Sequence, residues 1–221
     1  DEAVAAFMFA SLLALLTGLF GWTDRLMRHI PRSLAAAMLA GILLRFCLGV
    51  FTALEAAPLL VAVMLAVFLL GRRRLTRYII PVTLLAGLAV AAAQGTIRFD
   101  AVELAMAHPV FMAPSFSLSA LLGVGLPLYI VTMASQNLPG LAVLRANGYQ
   151  SPASPMVSWT GATGVLLAPF GGFAYNLAAI TAAICMSPNA DPDPARRYLA
   201  SVWAGVFYLI TGVFGATTAA L

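Results

Sequence analysis

The sequence predicts an all-α integral membrane protein, a bundle of hydrophobic helices. Its composition, the length of its apolar runs and the placement of its arginines all point that way. Of 221 residues, 62% are hydrophobic and 9% are charged, against about 25% charged in a typical soluble domain. So few charges cannot cover a soluble globule of this size. Lipid removes that requirement, because the exterior can be as apolar as the interior.

A helix needs about 20 mostly apolar residues to cross the hydrocarbon. Eight segments qualify in order: 3–22, 31–52, 57–71, 78–95, 117–138, 155–169, 174–187 and 198–219. The third and seventh are short. Eight crossings would place alternate loops on opposite sides. Arg25, Arg28 and Arg32 lie in the first loop, and Arg72, Arg73, Arg74 and Arg77 in the third. Arg145 lies in the fifth, and Arg196 and Arg197 in the seventh. Ten of the twelve arginines thus fall on one side, and there is no lysine. The opposite loops hold only Arg98, with Glu55, Asp100 and Glu103. Cationic loops stay in the cytoplasm, which assigns that side; the expected location is a cell inner membrane, multi-pass.

The loop 97–116 reads as a short amphipathic stretch on the far side, and 188–197 as a Pro/Asp loop. Asp1 opens directly into the first apolar run, with no basic n-region or cleavage signal. The chain therefore reads as a fragment of a longer membrane protein. Cys47 and Cys185 sit in apolar runs without metal or redox spacing, and His29 and His108 are isolated. No metal site, cofactor, nucleotide loop or catalytic dyad is expected, and no nucleic-acid partner. Arg45 is either a snorkelling side chain or a gating ion-pair partner.

Two stretches carry polar chemistry. In 117–138 the run Thr132-Met133-Ala134-Ser135-Gln136-Asn137 precedes Pro139-Gly140. Proline removes a backbone donor and loosens the helix, so carbonyls and amides become available to protein or a wet cavity. The alternatives are helix–helix glue or a plain helix end. The second stretch is Pro169-Phe170-Gly171-Gly172-Phe173-Ala174-Tyr175-Asn176, between two short segments. It reads as two half-helices meeting within the membrane, as at transporter sites, or as a tight external turn. In the first reading, free amides from Leu177 through Ala178 to Ala179 face a carboxylate. Pro127 reads as a kink.

Three stretches resemble a known family: Ile30-Pro31 with 33–46, then 131–137 with Pro139-Gly140, and 178–185 with Ser187-Pro188. They resemble the benzoate:proton symporter family, BenE, over essentially the whole chain. That family is similar in fold to uracil permease and other nucleobase transporters, with fourteen helices in two inverted repeats of seven. The resemblance implies core helices at 3–22 and 117–221 and gate helices at 31–95. It also implies a short β-strand near 170–176, leading into a half-helix.

In uracil permeases two glutamates bind the nucleobase, and by resemblance their positions hold Gln136 and Tyr175 here. Loss of both acids suits an anionic substrate. The implied substrate-binding set is Thr132, Met133, Ser135, Gln136, Asn137, Phe173, Tyr175, Asn176, Leu177 and Ala178. Gln136 would bond the carboxylate, while Met133, Phe173 and Tyr175 would form an apolar slot for the ring. The implied function is secondary active import of benzoate or a related aromatic carboxylate with protons, by alternating access. The implied partners are that substrate, protons and the lipid bilayer, with a homodimer possible. Another substrate on the same fold (a nucleobase, sulfate or other organic anion) and a passive channel remain open. An intramembrane enzyme would need a dyad that the spans do not show.

Overall fold

Small residues at helical spacing dictate the closest packing in the protein. The computed structural model describes residues 1–29, 31–75, 78–96 and 109–215. Helix α1 (Glu2–Leu19) buries Val4, Ala5, Ala6, Ala10, Ala14, Thr17 and Gly18. Helix α7 (Ala153–Leu167) buries Ala153, Ser154, Val157, Gly161 and Gly164. Positions three and four apart share one face of a helix, so each presents a small-residue stripe to the other. A Cβ built on Gly161 would lie 2.5 Å from the Leu15 nitrogen and 2.8 Å from the Ser11 carbonyl oxygen. Backbone meets backbone there, as small residues permit in membrane helix pairs.

Between them in sequence runs α2 (Trp22–His29), a short helix where a loop was expected. It buries Thr23 and Met27, one turn apart, and carries Asp24 in its first turn and Arg28 and His29 in its last. That charge order suits the helix dipole. Asp24 ties α2 to α7 reciprocally. Its Oδ1 accepts from the Ala153 amide at 2.9 Å and its Oδ2 from the Ser154 amide at 3.2 Å. The Ser154 hydroxyl in turn accepts from the Asp24 amide at 3.0 Å. Each side chain thus caps the other helix's exposed N-terminal amides. The Arg145 guanidinium bonds the Met27 carbonyl at the other end of α2.

The remaining helices are α3 (Arg32–Ala56), α4 (Pro58–Gly71), α5 (Ile79–Ala93), α6 (Leu118–Ala146), α8 (Ala179–Cys185) and α9 (Tyr198–Val213). Each of the eight expected segments contains a helix, and α1 and α6 are long and apolar enough to cross a membrane. The helices group into two compact units, one of residues 1–41 and 108–184, the other of 42–107 and 185–221.

In the second unit α4 and α5 form a hairpin in which Gly87 lets Met64 approach its backbone. Its turn exposes Arg72, Arg73 and Arg74. The α8–α9 loop is held by Arg197, which donates to the carbonyls of Met186, Asp191 and Pro192. Large apolar side chains stand exposed along α5 and α9, among them Leu84, Leu85, Trp203, Phe207 and Leu209. Arg45 is exposed on α3.

Several expectations need correction. No strand forms near 170–176 among the described residues. A strand needs a ladder of backbone bonds; the irregular 109–117 segment lies against the start of this stretch through the Met112 amide on the Pro169 carbonyl and Phe111 on Phe170, without forming a strand. The helix expected at 174–187 begins only at Ala179. Pro139 does not end its helix, because α6 runs on to Ala146. Arg77, Arg98, Asp100, Glu103, His108 and 216–219 lie outside the described residues, as does most of the amphipathic stretch; 109–117 is irregular.

Two outcomes follow. Gly161→Leu should unseat α1 from α7, since overpacking typically costs about 1–3 kcal/mol and backbone cannot yield as a side chain does. Thermal unfolding in detergent should show a clear drop, and an unchanged midpoint would refute the contact. The second outcome concerns Asp24. Burial pushes its carboxyl up, but bonding with Ser154 and the Ala153 and Ser154 amides, with Arg28 nearby, outweighs burial and holds it below its ordinary value. Its stabilising contribution is therefore complete above about pH 3.9 and is lost as pH falls through the lower folded value. Asp24→Ala should destabilise at neutral pH by about 1 kcal/mol, a typical cap, and the gap to wild type should close on acidification.

Candidate functional site

The polar run of α6 is shaped by its two prolines. Residues Leu121–Gly125 and Met133–Asn137 are π-helical turns. Each is followed by Leu-Pro, at Leu126-Pro127 and Leu138-Pro139. A proline ring clashes with the carbonyl four residues back and offers no donor to it. The wider turn relieves both problems: the Leu126 amide bonds the Leu121 carbonyl and the Leu138 amide bonds Met133, five residues back. The helix thus continues where the sequence suggested a break. Such π turns concentrate at functional sites, and the second coincides with the expected polar cluster.

The segment between the π turns is fastened to α1. The Thr17 hydroxyl donates to the Leu13 carbonyl at 2.7 Å and meets the Tyr129 hydroxyl at 2.6 Å, so Tyr129 donates to Thr17. The Thr132 hydroxyl is spent on its own helix, at the Leu128 and Tyr129 carbonyls.

The second π turn sorts its side chains sharply. Asn137 is 1% exposed. Its Oδ1 accepts from the Leu177 amide at 2.9 Å and its Nδ2 donates to the Met133 sulfur at 3.3 Å. Leu177 therefore does not supply a free amide, contrary to expectation. Gln136 is half-buried, and its amide bonds no described residue. Ser135 is exposed.

The stretch 171–178 is an irregular crossover with defined turns. Gly171 takes φ 83° and Ala174 takes φ 55°. The left-handed region is unfavourable for a residue with a Cβ, so Ala174 marks strain. Asn176 Nδ2 donates to the Ala174 carbonyl at 2.9 Å and braces that turn. Phe173 stacks on Phe7 of α1, with centroids 4.6 Å apart and planes 24° apart. A Cβ on Gly172 would sit 3.0 Å from the Tyr175 hydroxyl, so Tyr175 folds back over the glycine. Phe173 and Tyr175 are 42% and 41% exposed, open for contact. Ala178 is exposed, and its carbonyl accepts from Ala182 to start α8.

The structure thus joins Met133, Asn137 and Leu177 directly, and Leu177 also packs on the buried cluster of Met133 and Leu141. Phe173, Tyr175 and Asn176 share the crossover. Sequence reasoning missed Phe7 and Tyr129, because nothing in a uniformly apolar run marks which aromatic faces a site. The described residues contain no cluster of acidic, histidine or cysteine side chains fit to hold a metal ion.

The family described as Benzoate membrane transport protein, BenE, matches residues 1–221. The chain is 45% identical over 215 residues to Inner membrane protein YdcO of Escherichia coli (strain K12), covering 97% of this chain and 55% of that protein. It is 38% identical over 221 residues to the Benzoate membrane transport protein of Acinetobacter baylyi (strain ATCC 33305 / BD413 / ADP1), covering 100% of this chain and 56% of that one. The chain spans about half the length of these relatives. No solved structure matches it. The chain belongs to the BenE family of benzoate membrane transport proteins, a multi-pass membrane family of transporters rather than enzymes.

Proposed function

We propose that this chain carries the binding site of a secondary active transporter for benzoate or a related aromatic carboxylate, coupled to protons and working by alternating access. The observation that carries the reading is Gln136. Its side chain is half-buried and makes no hydrogen bond among the described residues, while the neighbouring polar groups of Thr132 and Asn137 are committed within the protein. An N–H donor bonding a carboxylate makes a charge-assisted hydrogen bond. No Asp or Glu occurs between Glu103 and Asp191, so nothing acidic in that stretch repels an anion. The exposed rings of Phe173 and Tyr175, with Phe7 behind Phe173, offer an apolar aromatic wall for the ring. The 38% identical relative named Benzoate membrane transport protein supports the substrate class.

Met133 lines the buried side of the same turn, and Ser135 and Asn176 border it. Proton coupling is part of this proposal, and the polar cluster itself holds no carboxylate to carry the proton. Core-like helices at 3–22 and 117–221 moving against gate-like helices at 31–95 would expose the site to each side in turn. Gln136→Ala should raise the KM for benzoate roughly ten- to hundredfold, the worth of one hydrogen bond to a charged group. Proteoliposome uptake with and without an imposed pH gradient measures this. Unchanged uptake in the variant would remove Gln136 from the site, and uptake indifferent to the gradient would favour a channel.

A further inference from the structure

We propose that Asn137 is not a substrate ligand but a positioning residue, a latch that holds the 171–178 crossover against the π turn of α6. Its effect on uptake rests on the proposed function; its effect on the backbone does not. Three observations converge on one residue of the crossover. The Leu177 amide donates to Asn137 Oδ1 at 2.9 Å. A Cβ on Gly140, one turn further along α6, would lie 3.1 Å from the Leu177 Cβ, so Leu177 is seated closely against the glycine and a larger residue would crowd it. The Leu177 side chain packs against the buried cluster to which Met133 and Leu141 of the same helix belong.

Asn137 has no room to serve a ligand as well. It is 1% exposed, its oxygen faces Leu177, and its nitrogen faces the Met133 sulfur. Binding a substrate there would strip the Leu177 amide of its partner. Instead the latch fixes the C-terminal end of the crossover while the Phe7–Phe173 stack fixes its other end. Tyr175 lies between these two anchors, on the turn that Asn176 braces at Ala174. Asn137 therefore sets where the aromatic wall stands relative to Gln136, one residue before it in the chain.

The test combines hydrogen–deuterium exchange and uptake on the complete protein in lipid. In Asn137→Ala, peptides spanning 173–180 should exchange about ten- to hundredfold faster, the loss of one buried bond. Peptides of 121–132 should not change. Asn137→Asp, which keeps an acceptor oxygen, should restore protection. Gly140→Ala, which crowds Leu177 without touching Asn137, should loosen the same peptides more mildly. Benzoate KM should rise in Asn137→Ala and Gly140→Ala with Vmax less affected. Unchanged exchange at 173–180 in Asn137→Ala overturns the latch; if that variant does not fold, unchanged exchange in Gly140→Ala does so. A silent Gly140→Ala beside an Asn137→Ala defect confined to KM would make Asn137 a ligand instead. Absence of benzoate uptake in the wild type would refute the proposed substrate while leaving the exchange result decisive for the latch.

Discussion

The hydrogen bond from the Leu177 amide to Asn137 Oδ1 is the constraint on which the site's geometry depends. The crossover is costly to hold. Ala174 sits at positive φ, which costs about 1–2 kcal/mol for a residue with a Cβ. An offset aromatic pair such as Phe7–Phe173 returns about 0.5–1.5 kcal/mol beyond burial. That roughly balances the strain and leaves little margin. The part-buried bond of the Leu177 amide to buried Asn137 avoids a further penalty of about 1 kcal/mol or more, enough to favour this crossover conformation over looser ones.

The latch springs from a helix, α6, that is not regular. Each π turn accommodates the proline that follows and adds a residue to the turn. The half of α6 before the second π turn faces α1 through Tyr129 and Thr17. The half that begins at Asn137 faces the crossover. An α-helix advances 100° per residue, so one extra residue is enough to turn these two faces apart. Below them, α1 and α7 make a close glycine-based contact, and the Asp24–Ser154 exchange of caps pins α2 across the start of α7. Gln136 thus projects from a helix whose register is fixed from both sides.

The apolar runs were legible because burial in lipid needs long uninterrupted hydrophobicity, and arginine and proline mark the turns between them. All eight segments hold helices for that reason. The segment expected to close at 138 instead runs on to Ala146, because the π turn before Pro139 absorbs the proline within the helix. The strand near 170–176 failed because a strand is a property of a pair, and the described residues contain no strand for it to pair with. The polar cluster was visible as a cluster, yet its division was not. Asn137 and Gln136 are adjacent and chemically alike, and only a tertiary partner forty residues away commits one and spares the other. Helix α2 was missed through its charges, although Thr23 and Met27 at one-turn spacing already marked a buried face.

The central proposal is that Gln136 and the crossover's rings together bind an aromatic carboxylate. A single cysteine at position 175, in a protein with Cys47 and Cys185 replaced by alanine, tests it most directly. Tyr175 is 41% exposed, so maleimide should label Tyr175→Cys readily. Saturating benzoate should slow that labelling, and uracil at the same concentration should not. Equal labelling rates with and without benzoate, in a variant that still binds benzoate, would contradict the account.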